Sequence, residues 1–152
     1  MWTDSIERRI GAALRAPDPR VRIWRKSPRE LVETERTGVG VLFASWSGAA
    51  CAWLATLVRL VEQHPAPIRL FVMDSDDATR DSTSRRSALE VLGPGSEGIH
   101  GWGETFGFRD GAVVAVVCRP LIAERERIER LLSAVAPVDP TSPGRTSDGR
   151  SP

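Results

Sequence analysis

Two cysteines, Cys51 and Cys118, two histidines and one lysine, Lys26, are all that the 152 residues hold of these types. A lone cysteine pair cannot build a disulfide framework, and two Cys with two His at these spacings match no zinc motif. No metal and no cofactor is expected. Charge of either sign is scarce in excess, at a net +1, so the clustered positive surface that binds nucleic acid is not expected. Arginine supplies nearly all the positive charge, a bias that fits GC-rich, most often bacterial, coding. No apolar run approaches the roughly 20 residues that span a membrane. Met1 to Arg15 has no continuous apolar core, unlike a secretory signal. A soluble cytoplasmic protein of one domain is expected, with no membrane partner and with flexible ends.

What is present is a regular alternation of elements. Asp4 can cap a first helix whose Ile6, Ile10, Ala13 and Leu14 share a face. It ends before Pro17-Asp18-Pro19, and it either packs on its own domain or docks on a partner. Val21 to Trp24 reads as a short strand. Ser27-Pro28-Arg29-Glu30 has the form of a capping box with proline at the first helical position. Val39 to Ser45 is nearly all apolar, as a strand buried on both faces is. A helix over 49–64 follows, and then a second buried strand, Ile68 to Asp74; Trp24 and Trp53 are expected in the core. Such a β-α-β run requires a crossover and parallel pairing. Ser75 to Ser84 is polar, with Asp74, Asp76, Asp77 and Asp81 close together, and Arg85 to Leu92 reads as a short helix. Gly93 to Gly103 is glycine-rich. Asp110-Gly111 sits between two apolar runs as a hairpin turn. A last helix over Leu121 to Val135 puts Ile122, Ile128, Leu131, Leu132 and Val135 toward the core. Residues 137–152 have the composition of a disordered tail. The expected division is 1–20 as helix and linker, 21–136 as the domain and 137–152 as tail.

Trp46-Ser47-Gly48-Ala49-Ala50 stands between the first buried strand and its helix. With the order of elements, with Phe71-Val72-Met73-Asp74, and with the run Gly101 to Gly111, this frame resembles the thioredoxin family over about Val21 to Val135. The resemblance implies a three-layer α/β/α sandwich with a central mixed sheet of four or five strands and an extra N-terminal helix. It also marks what is missing. Ser47 and Ala50 stand where the family has its two cysteines, Val41 where it has a buried proton-accepting Asp, and Gly103 where it has a cis-proline. Dithiol exchange needs a low-pKa thiolate and a second, resolving thiol. Neither Ser47 nor Ala50 can supply one.

The family grips extended peptides around this motif. Carried over, the partner-binding surface comprises Trp46, Ser47, Gly48, Ala49, Trp102 and Gly103, with Cys118 at its edge. Tryptophan suits recognition because it buries a large area with few rotatable bonds. Arg119 would narrow the groove. The expected function is a redox-inactive accessory, chaperone-like or assembly module that binds a protein or an extended peptide. The alternative is a single-cysteine thiol enzyme, for peroxide reduction or glutathione exchange, using Cys51 or Cys118. Cys51 would lie near a helix N-terminus, which favours a thiolate, but about 100° round the helix from the motif position. The simpler reading, favoured for either thiol, is an inert small hydrophobe.

Overall fold

Gly38–Phe43 is buried at all six positions, which requires apolar cover on both faces of the sheet. A computed structural model of the chain describes residues 7–8, 20–93 and 98–136. Its strands are β1 (Val21–Ile23), β2 (Gly38–Phe43), β3 (Leu70–Asp74), β4 (Thr105–Arg109) and β5 (Ala112–Val117). Its helices are α1 (Pro28–Glu35), α2 (Gly48–Gln63), α3 (Ser75–Ala78), α4 (Ser82–Leu92) and α5 (Arg125–Val135). The fold is α/β. One mixed sheet runs in the order β1-β3-β2-β4-β5. β1 and β2 pair parallel with β3, while β4 is antiparallel to β2 and to β5.

The sheet divides two hydrophobic clusters. Val39, Val41 and Phe43 point to one side with Val72, where Trp53, Leu54 and Leu57 of α2 and Ile128 and Leu131 of α5 cover them. Leu42, Phe71, Met73, Phe106 and Phe108 point to the other, against Leu31 and Val32 of α1 and Ala88 and Leu92 of α4. Each fully buried large side chain contributes roughly 1.5–3 kcal/mol, so the strand alternation on β2 and β3 carries much of the stability.

The capping box at Ser27 forms as its spacing predicts. Ser27 Oγ accepts from the Glu30 N–H at 3.1 Å, and the Ser27 N–H donates to Glu30 Oε2 at 3.3 Å. The β4–β5 hairpin turns at Asp110 and Gly111 with φ of 52° and 78°, the paired positive values of a type I′ turn. Three expectations need correction. The helix expected from Arg85 begins at Ser82, because Asp81 accepts from the Ser84 N–H at 2.8 Å and starts α4 early, while Asp74 accepts from the Asp76 N–H at 2.8 Å and starts α3. Both acids act as N-caps. The last helix begins at Arg125, not Leu121. Residues 119–122 form a turn instead, with the Ile122 N–H donating to the Arg119 carbonyl at 3.2 Å, so Ile122 points outward and leaves the core. Trp24 is only half-buried. It meets Phe71 edge-on at 6.2 Å and donates from Nε1 to the Ser27 carbonyl. The stripe of Ile6, Ile10, Ala13 and Leu14, residues 94–97 and the tail at 137–152 lie outside the described residues. Among those that are described, Glu7 pairs with Arg25 at 2.8 Å.

Candidate functional site

The turn from β2 into α2 presents the first tryptophan. The Ser47 N–H donates to the Ala44 carbonyl at 3.0 Å, and Ser47 Oγ accepts from the Ala50 N–H at 3.2 Å. Ser47 is thus the N-cap of α2. This turn leaves Trp46 64% exposed, with its indole Nε1–H donating to Asp76 Oδ1 at 3.0 Å. Gly48 is exposed at the first helical position, with open space where a Cβ would stand.

Residues 98–103 form the second wall. Gly101 takes φ of +74°, and a Cβ there would sit 2.6 Å from Trp46 Cη2. Only glycine both accepts that backbone and lets the indole lie so close. Gly103, also at positive φ, lies against Trp53. The Trp53 Nε1–H donates to Thr105 Oγ1 at 2.8 Å, and the Thr105 hydroxyl donates to the Gly103 carbonyl at 2.8 Å. Glu104 is 0% exposed. Its Oε1 accepts from the His100 N–H at 2.7 Å and the Trp102 N–H at 3.3 Å. Trp102 is half-buried. His100 stacks on its ring at 4.3 Å between centroids, and the Arg119 guanidinium lies 4.3 Å from the ring centroid.

Between these walls and the turn after β5 lies a cavity of about 310 Å³, lined by Ala49, Trp102, Arg119, Leu121 and Ile122. Leu121 is 48% exposed and Ile122 74%. An apolar floor with one planar cation at its side suits an apolar or extended ligand segment better than a small polar substrate.

The structure therefore joins Ala49 and Trp102, both expected at the site, in one cavity. Trp46 stands beside it, across Gly101, and is not in the lining. Ser47 and Gly103 support the walls from below. Among the described residues Cys51 and Cys118 form no disulfide, and both are half-buried. Cys51 Sγ lies 3.9 Å from the Ser45 carbonyl oxygen. Asp74, beside this region, has a pKa raised above the usual carboxylate value, chiefly by burial, with the N–H groups of Asp76 and Asp77 pulling it the other way. Among the described residues no three His, Cys, Asp or Glu side chains group to hold a metal ion, and no helix is long and apolar enough to cross a membrane.

Sequence reasoning missed Leu121, Ile122 and Glu104. Pro120 followed by two aliphatic residues imitates a helix start, so the sequence carries no mark that the helix begins later. Glu104 has a faint mark: a single acid wedged between a glycine-rich loop and an apolar strand. Comparison with family models, with curated proteins and with solved structures finds no match to this chain.

Proposed function

We propose that this chain is a thioredoxin-like module without dithiol chemistry, and that it binds an extended protein segment in the groove beside Trp102. The observation that carries the reading is the open apolar cavity of Ala49, Trp102, Leu121 and Ile122, where a water-facing surface would ordinarily carry polar side chains. The strand order β1-β3-β2-β4-β5, with its parallel and antiparallel pairs, supports the family likeness. So does the position of Trp46 in the turn after a central strand. Ser47 spends its hydroxyl on the helix cap, and Ala50 has no heteroatom, so the motif works as a scaffold. The bulk charge of +1 favours a protein partner over a nucleic acid, and two cysteines outside any disulfide fit a reducing cytoplasm.

Selection of random short peptides displayed on phage tests this reading. Ile122→Asp serves as the counter-target, because Ile122 is exposed and its replacement spares the core. Peptides enriched on the parent should lose at least about tenfold in affinity for Ile122→Asp, as expected when a charge enters an apolar contact. Equal binding to both proteins, or no enrichment on the parent, contradicts the proposal.

A further inference from the structure

We infer that Glu104 is the positioning residue of this groove: one buried carboxylate oxygen holds the turn that aims Trp102 and His100. The binding arm of this inference rests on the reading of the groove given above; the structural arm does not.

Four observations carry it. The carboxylate has no exposed surface, and a buried carboxylate is costly to keep unless its bonds matter. Its Oε1 takes N–H groups from both sides of Gly101, those of His100 and Trp102. These are the two residues whose rings stack to make the outer wall. The anchor is itself fixed, because the Leu42 N–H of β2 donates to the Glu104 carbonyl at 2.9 Å. The chain from the central strand to the groove wall is therefore continuous: β2, Glu104, the 100–102 turn, the indole.

The other oxygen, Oε2, is buried and has no hydrogen-bond partner among the described residues. Stability alone would favour an apolar side chain at such a place, or one whose polar atoms were all satisfied. A half-used carboxylate fits a group retained for the shape that Oε1 enforces. Two hydrogen bonds from backbone N–H groups converge on the one oxygen. They hold the glycine-flanked turn in one conformation before any ligand arrives, which lowers the ordering cost of binding.

Glu104→Gln and Glu104→Leu separate positioning from simple bulk. Gln keeps an acceptor oxygen in the same place; Leu keeps similar size with none. Amide hydrogen exchange at His100 and Trp102 is the first readout, with Val72 in β3 reporting any global loss of stability. In the parent both loop amides should exchange slowly. Glu104→Leu should speed them at least about tenfold relative to Val72, and Glu104→Gln should stay within about threefold of the parent. The affinity of the best display-selected synthetic peptide is the second readout. It should fall about tenfold in Glu104→Leu and be rescued in Glu104→Gln.

Unchanged exchange at His100 and Trp102 in Glu104→Leu overturns the inference, as does faster exchange with undiminished peptide affinity. Should Glu104→Leu not fold, the parent decides: fast exchange at both amides there overturns the inference, and slow exchange that survives in Glu104→Gln supports it. If no peptide is enriched at all, the groove reading fails, and the exchange data alone judge Glu104.

Discussion

Ser47 carries the local geometry of the site without any reactivity of its own. Its hydroxyl caps α2 and thereby sets the turn that exposes Trp46. Ser47→Ala should cost about 1 kcal/mol, the usual worth of an N-cap, and Ser47→Asp should recover most of it. Urea midpoints check this; equal midpoints for parent and Ser47→Ala would show that the cap is idle. Asp74 poses a different question, because burial raises its pKa while its Oδ1 caps α3. Its folded-state pKa lies above the unfolded one, so ionisation costs stability that the protonated form keeps. Asp74→Asn retains the capping oxygen and removes that cost. It should raise Tm at pH 7 by about 1–3 °C. The gain should fade as pH falls through the folded-state pKa toward the unfolded value. A gain that persists unchanged in acid would assign the effect to something other than charge. Glu104 shows why a residue-level reading stops short. An acid before a strand looks solvated in sequence, and only the packing of residues 98–103 over it removes it from water.

Among the elements, β5 shows how the sheet protects its edge. It is an outer strand, Ala112–Val117, made only of alanine and valine. A flat apolar edge invites pairing with another chain. Two features oppose it. Gly107 pairs with Ala115 and Phe108 with Val113, so Val114 is an extra residue that bulges the strand and stands 47% exposed. Arg127 of α5 reaches back and donates to the Val116 carbonyl at 3.3 Å. Arg127→Ala should therefore raise concentration-dependent self-association, read as a larger mean mass by light scattering. An unchanged mass across the same range would remove Arg127 from that role. The hydrophobic runs of β2 and β3 are readable in sequence because burial on both faces keeps polar residues out until Asp74 at the end of β3. The boundaries of α4 and α5 are harder. Asp81 caps earlier than the apolar period suggests, and Pro120-Leu121-Ile122 imitates a helix start that the Arg119 turn then uses up.

For the whole molecule, the order of elements is legible because each parallel step demands a crossover helix, and Asp110-Gly111 forces the final hairpin. The groove is not legible in the same way. Ala49, Trp102, Arg119, Leu121 and Ile122 come from three separate parts of the chain, and no spacing rule joins them. Two of the six expected surface residues, Ala49 and Trp102, line it because strand ends gather at one end of the sheet. Leu121 and Ile122, which were not expected there, line it because of where a helix starts. The single most direct measurement is the map of backbone amide shifts in the labelled protein on titration with a display-selected peptide. The account predicts that the largest changes fall on Ala49, Trp102, Arg119, Leu121 and Ile122, with Glu104 following. Changes centred instead on the β5 edge, or on Cys51 and Cys118 without Trp102, would contradict it.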